Sequence, residues 1–317
     1  MTTKTIEKTS VPGSRWSSLW VFVAERVPTR VYGSYAVAWV LGVHGVIALA
    51  GPPGGGLRLG WGLVAEIATV YLALVFARIV DDQKDLAYDR QFNPDRPVPR
   101  GAVRVRDLRI AMAVIAVAEV LLSAVRSPWL VVLVVAFLAY DLFLVLLERW
   151  SAALRDSMFR NLAVTYPVQV IMTVHIGINA SAGGAGPGGW ALVLAVVFAA
   201  SLFLHYEFGR KTARSVQPGK TLYSNVIGPR GSVFLTLLMP GVALAVAAIV
   251  VRPWSVHGFA ALAAWLPFAA AGYVWLAADR FFGARAPSWP AIPAMGLLAW
   301  THAGVFAAAV AILPAAR

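Results

Sequence analysis

Runs of about 20 mainly apolar residues, the length an α-helix needs to cross a hydrocarbon layer, alternate along this chain with short polar or Gly/Pro-rich breaks. They fall near residues 31–51, 57–80, 108–125, 129–147, 157–180, 189–207, 231–251, 257–278 and 290–313. The pattern predicts an all-α, polytopic membrane bundle of about nine transmembrane helices. Only Arg126-Ser127-Pro128 separates the third run from the fourth, so these two form a tight helical hairpin, and the Gly/Pro-rich segments 51–56 and 181–189 mark further turns. Ahead of the first span, Trp16, Leu19, Trp20, Val23 and Val27 recur at helical spacing. They form either an interfacial amphipathic helix with its Trp rings at headgroup depth or a simple lead-in to the span. Residues 1–30 lack the continuous apolar core of a cleavable signal peptide, so the chain divides into an N-terminal segment, 1–30, and one membrane-embedded domain, 31–317.

Composition agrees with this partition. Of the 317 residues 59% are hydrophobic and 13% charged, against roughly 45–50% and about 25% in soluble domains. The absence of cysteine removes disulfides, thiolate metal sites and cysteine nucleophiles. A net charge of +12 would suit nucleic acid, but its distribution explains it otherwise. With a cytoplasmic N-terminus and nine spans, 23 of the 27 Lys and Arg fall on the inner side, leaving Arg58, Arg126, Arg252 and Arg317 outside. That asymmetry gives the orientation and accounts for the charge without a nucleic-acid partner.

Against this basic inner side stands a concentration of acid. Asp81, Asp82, Asp85, Asp89 and Asp95, five of the 15 acidic residues, lie in one 15-residue stretch after the second span. Asp81, Asp85 and Asp89 repeat at i, i+4 and i+8, which puts three carboxylates on one helical face, with Asp82 beside them. Like charges this close repel unless a cation neutralises them. Hard oxygen ligands without Cys or nearby His point to Mg²⁺. The alternative is a solvated acidic cap partnered by Arg78, Lys84 and Arg90.

The string Asp81-Asp82-Gln83-Lys84-Asp85-Leu86-Ala87-Tyr88-Asp89, followed by Arg96-Pro97-Val98-Pro99-Arg100-Gly101, resembles the first signature of the UbiA superfamily of intramembrane prenyltransferases, N-D-x-x-D-x-x-x-D and then R-P-[IVL]-x-x-G. Asp81 stands where the family usually has Asn. The resemblance covers the whole membrane domain and implies helices around a central cavity. It also implies an isoprenoid diphosphate substrate held through Mg²⁺ by Asp81, Asp85 and Asp89, with Asp82 in support and Arg96 and Arg100 close by. The family's second signature, D-x-x-x-D after the sixth span, is altered to Glu207-Phe208-Gly209-Arg210-Lys211-Thr212-Ala213-Arg214. Glu207 retains a metal ligand, but Lys211 occupies the second carboxylate's place. Arg210, Lys211 or Arg214 then takes over part of a second cation's work on the diphosphate; otherwise Glu207 and Lys211 form an i,i+4 surface pair.

Weaker candidates complete the set. Lys220 and Tyr223 contact diphosphate from the following loop or serve as interfacial anchors. Pro218-Gly219-Lys220-Thr221 is not a P-loop, since Arg214 stands where the first Gly is needed and no strand precedes it. Tyr140 and Asp141 interrupt one apolar span and Asn161 lies in the next, where they approach the cavity or hydrogen-bond between helices. The five His show no metal-ligand spacing.

These readings converge on Mg²⁺-dependent transfer of a prenyl group to an unidentified acceptor. The alternatives are a terpene cyclase of the same superfamily, in which the tail's own alkene attacks the cation, and an ion-coupled transporter.

Overall fold

The structure, a computed structural model, describes residues 15–52, 56–57, 59–181 and 188–313. Arg58 and Arg317, and parts of the turns expected at 51–56 and 181–189, lie outside these. Among the described residues the secondary structure is helices joined by loops, with an isolated bridge between Ala213 and Ser288. The helices are α1 (Arg15–Arg26), α2 (Thr29–Ala50), α3 (Trp61–Lys84), α4 (Leu86–Phe92), α5 (Val105–Ala124), α6 (Pro128–Trp150), α7 (Ala152–Arg155), α8 (Met158–Ser181), α9 (Gly189–Arg210), α10 (Tyr223–Val226), α11 (Gly228–Val251), α12 (Ala260–Trp265), α13 (Ala271–Phe282) and α14 (Ala291–Ile312).

Eight helical segments are long and apolar enough to span a membrane. The one expected span not among them, α5, is a 20-residue helix that carries Arg106, Asp107, Arg109 and Glu119. It nevertheless packs between α3 and α6 and turns Val114, Val117 and Leu121 outward. Outward apolar side chains recur on α6 at Val132, Val135, Leu142 and Phe143. Such a coat is stable only against lipid. The chain is therefore an integral, multi-pass membrane protein with an all-α bundle fold.

Local chemistry fixes the breaks. The Ser127 hydroxyl accepts from the Trp129 N–H at 3.3 Å and Pro128 occupies the first turn of α6, where its missing N–H costs nothing. The eighth expected span is not one helix. Pro267 interrupts it, so that α12 passes through a 3₁₀ segment, Leu266–Ala270, into α13. Helix α14 fits closely against both this segment and α2 because glycine leaves room. A Cβ on Gly304 would sit 2.7 Å from the Pro267 nitrogen, and one on Gly42 would collide with the His302 ring.

Two polar clusters locate the ends of the bundle. At one end Arg126 bonds to Glu66, Asn179 and Thr69, and His175 joins Glu66 through Nδ1 at 2.7 Å. At the other, Lys84 meets Glu148 at 3.2 Å and Asn161 donates to the same carboxylate at 3.0 Å. Helices α3 and α6 therefore run in the same direction and α8 opposes them, with the ends of α3, α6 and α9 and the start of α8 gathered at the acidic and basic mouth.

Helix α1 packs across this mouth. Phe22 and Val27 are buried against the α3–α5 side, whereas Trp16 and Trp20 point outward. Two ion pairs clamp it, Arg26 with Asp82 at 2.7 and 2.8 Å and Glu25 with Arg100 at 2.6 and 2.8 Å.

Candidate active site

A cavity of about 560 Å³ opens among α2, α3, α6, α8 and α9, within the range of roughly 300–1,000 Å³ usual for small-molecule sites. Its deep walls are apolar and aromatic: Trp39, Ala73, Leu74, Ala77, Phe137, Leu144, Val145, Val168, Met172 and Phe203. Its mouth carries Asp81, Lys84, Asp85, Asp156, Asn161, Glu207, Arg210, Lys211 and Tyr223. One end thus suits an anionic head and the other a hydrocarbon tail.

The first acidic segment stays helical through most of its length. The Asp85 N–H donates to Asp81 O at 2.9 Å, Asp89 N–H to Asp85 O at 2.8 Å and Asn93 N–H to Asp89 O at 2.8 Å. Asp85 nevertheless has φ −86° and ψ 6°, which ends α3 and starts α4 on a new course. The three carboxylates expected on one face are thereby divided. Asp81 and Asp85 line the cavity. Asp89 is buried apart from it, with both oxygens 2.6 Å from Arg96 and one 2.9 Å from the Asn93 amide. Asp82 is buried between Arg26 and Arg78, the latter at 2.8 Å.

Although Asp85 is exposed at the cavity rim, partial desolvation by its surroundings raises its carboxyl above its ordinary pKa. Lys84 opposes this, while the neighbouring carboxylates of Asp81, Glu148 and Asp89 add to it. Lys84 is the local counterion, shared between Asp81 at 3.4 Å and Glu148 at 3.2 Å.

The second segment supplies the facing charges. Glu207, in the last turn of α9, is bonded to Arg210 at 2.5 Å and Lys211 at 2.7 Å. The expected i,i+4 pair therefore exists, and it lies on the cavity wall. The Lys211 ammonium also sits 5.6 Å from the centre of the Tyr223 ring. Burial, followed by the Glu207 charge, raises the Tyr223 phenol. The loop after α9 is anchored by Tyr223 N–H to Lys211 O, Trp289 N–H to Thr212 O and Arg214 N–H to Pro287 O, each 2.9–3.0 Å.

Of the residues singled out in the sequence, the cavity gathers Asp81, Asp85, Asp141, Asn161, Glu207, Arg210, Lys211 and Tyr223. Asp82, Asp89, Arg96, Arg100, Arg214 and Lys220 lie elsewhere: the first four are in ion pairs, and Arg214 and Lys220 are exposed. Tyr140 turns away and donates to Val164 O at 2.8 Å. The cavity adds Lys84, Gln169, Trp39 and Phe203, to which sequence reading assigned no site role. Gln169 had a signal, as a lone amide inside an apolar run. The two aromatic residues had none.

Among the described residues no three His, Cys, Asp or Glu side chains form a metal cluster. The donor set still fits one kind of ion. Two cavity carboxylates, Asp81 and Asp85, suffice for Mg²⁺, which keeps several waters and completes its shell with substrate phosphate. Glu207 and Asp89 spend their oxygens on cations of the protein.

No protein-family model and no curated protein matches the sequence. Solved structures do. The chain superimposes on the apo structure of a UbiA homolog from Aeropyrum pernix K1 with TM-score 0.58 and 17% identity, over 89% of this chain and 97% of that one. It also superimposes on a digeranylgeranylglyceryl phosphate synthase with TM-score 0.54 and 9% identity, over 93% and 96% of the two chains. The chain thus has the UbiA fold over nearly its whole length.

Proposed function

We propose that this chain is a UbiA-type intramembrane prenyltransferase that ionises an isoprenoid diphosphate at the charged mouth of its cavity and transfers the prenyl group to an acceptor. One observation carries the reading. Asp81 and Asp85 share a cavity mouth with Arg210 and Lys211, directly above walls of hydrocarbon. The fold likeness to a digeranylgeranylglyceryl phosphate synthase supports it.

In this mechanism the tail lies among Leu74, Phe137, Leu144, Val145 and Met172, whose apolar surface excludes water from the reacting carbon. Asp81 and Asp85 would hold Mg²⁺, which when bound neutralises charge on the departing diphosphate. Lys211 and Arg210 donate charge-assisted hydrogen bonds to diphosphate oxygens, and the Arg fork favours two-pronged contact. Glu207 holds both cations in place. As the C–O bond breaks, its electron pair leaves with diphosphate. The rings of Trp39, Tyr166 and Phe203 offer π-faces to the allylic cation. The excess of Lys and Arg at the mouth supports a cytoplasmic site and N-terminus.

The test uses the full-length protein in detergent with Mg²⁺, geranylgeranyl diphosphate and a membrane-lipid extract as the source of acceptor. Mg²⁺-dependent diphosphate release is expected, falling to background in Asp81→Ala/Asp85→Ala. Undiminished release in the double variant would sink the reading. A cyclic hydrocarbon or terpene alcohol formed from the diphosphate alone would mark a cyclase instead.

A further inference from the structure

We infer that the outward face of α5 is a binding site for an anionic phospholipid of the leaflet at the mouth end of the bundle, with Arg106 and Arg109 on its phosphate and an apolar strip beneath them along an acyl chain. The site is separate from the reaction cavity and does not depend on the prenyl-transfer reading.

A groove of about 490 Å³ runs along this face, lined by Arg106, Arg109, Ile110, Ala113, Val114 and Val117. Most of these positions follow one another at three or four residues, with Val114 beside them, so they form one stripe of the helix. Five of the six are exposed and Ile110 is half-buried. At about 1.5 Å per residue the stripe from Arg106 to Val117 is about 16 Å long, which matches the roughly 15 Å depth of one hydrocarbon leaflet. Its basic end lies at headgroup height. Arg109 Nε donates to Gln83 Oε1 at 3.4 Å, and Gln83 adjoins Lys84 at the mouth. Helix α1, packed on the same α3–α5 side, points the exposed Trp16 and Trp20 rings outward, as the aromatic belt of an interface requires.

Charge selects the occupant. Elsewhere at the mouth Arg26, Arg78, Arg96, Arg100, Arg210 and Lys211 are each bonded to a carboxylate of the protein. Among the described residues Arg106 has no such partner, and Arg109 meets only the neutral Gln83 amide. Two uncompensated guanidinium groups above a lipid-facing apolar stripe complement a headgroup of net negative charge, because phosphate oxygens accept from the Arg fork. A zwitterionic headgroup brings its own cation to the same place and gains less. An anion there also answers a weakness of this span, whose first turns carry Arg106, Asp107 and Arg109. Through Arg109 and Gln83 it braces α5 against the end of α3 that bears Asp81 and Asp82.

The chain has no cysteine, so a single one can carry a reporter. The test places a fluorophore on Leu121→Cys, exposed one turn beyond the groove, in full-length protein reconstituted in phosphatidylcholine nanodiscs. Quenching is titrated with phosphatidylglycerol or phosphatidylcholine bearing a nitroxide near the end of one acyl chain. Half-quenching should need about fivefold less labelled phosphatidylglycerol than phosphatidylcholine, and the difference should shrink in high salt. The same reporter on Leu238→Cys, exposed on α11, should respond equally to both lipids. Arg106→Gln should weaken the preference, and Arg106→Gln with Arg109→Gln should abolish it. Both side chains are exposed, and the single variant carries the test should the double variant fail to fold. Equal quenching by the two lipids at Leu121 would overturn the site and leave ordinary boundary lipid there. So would a preference that survives in the double variant. Protection from both quenchers would mark a protein contact in its place, and loss of the preference in excess inorganic phosphate would mark a site for the free anion.

Discussion

At the residue scale the mouth is a balance of charges that no single side chain satisfies. Asp85 is ringed by carboxylates and has Lys84 as its nearest offset, and partial desolvation raises its pKa. A carboxyl whose folded pKa lies above its unfolded one makes ionisation unfavourable for the fold, so the penalty is present at neutral pH and vanishes as pH falls below the unfolded carboxyl range. Asp85→Asn should therefore raise the melting temperature of the metal-free protein at pH 7 but leave it unchanged near pH 3, as thermal unfolding at the two pH values would show. Lys211 is set for the opposite task. It touches Glu207 and the Tyr223 ring yet keeps its charge at the cavity. Removing a preorganised cation from a water-poor site costs roughly a hundredfold in rate. Lys211→Ala should show such a loss in diphosphate release at saturating Mg²⁺, and unchanged turnover would return Lys211 to the role of surface partner.

At the element scale, packing depends on small residues where helices meet backbone to backbone. Gly304 is the sharpest case, because what its Cβ would strike is the backbone of the Leu266–Ala270 segment, which cannot swing aside as a side chain would. Gly304→Ala should destabilise the bundle by about 1–3 kcal/mol, read as a lower melting temperature in detergent. Gly62→Ala, whose Cβ would meet only the Asn179 side chain at 4.0 Å, should have little effect. The break between α3 and α4 also belongs to this scale. The i, i+4, i+8 spacing identified Asp81 and Asp85 as neighbours on one face, but that face ends at Asp85. Asp89 then turns to Arg96, which the prolines of the following loop bring back against it. Spacing reports a face only as far as the helix is straight.

At the scale of the whole molecule, 23 of 27 basic residues fall at one end of the bundle if the spans alternate as expected, and the charged mouth lies there. A chain without cysteine offers a direct test of orientation. Single cysteines at Lys220 and Trp254, both exposed and at opposite ends of α11, should react with a membrane-impermeant maleimide from the cytoplasmic and the outer side respectively. Labelling from the reverse sides would invert the orientation.

Hydrophobic run length was enough to establish a multi-spanning helical bundle, because the cost of leaving backbone groups unbonded in lipid permits few other solutions. Local spacing marked the acidic segment, and the altered second segment was visible as a lysine in a carboxylate's place. Neither reveals which charges neutralise one another. Arg100 and Arg26 are absorbed by Glu25 and Asp82 because α1 folds back over α3, contacts between residues far apart in the chain, and Arg96, although only seven residues from Asp89, meets it because the loop between them turns back. The same holds for the cavity's floor. Gln169 stands out locally as an amide in an apolar run and Trp39 does not stand out at all, and only the packing of α2, α6 and α8 brings both into one cavity with Asp141. Solvent preference is a property of each segment, whereas charge pairing and cavity lining are properties of several segments together, which only the tertiary structure decides.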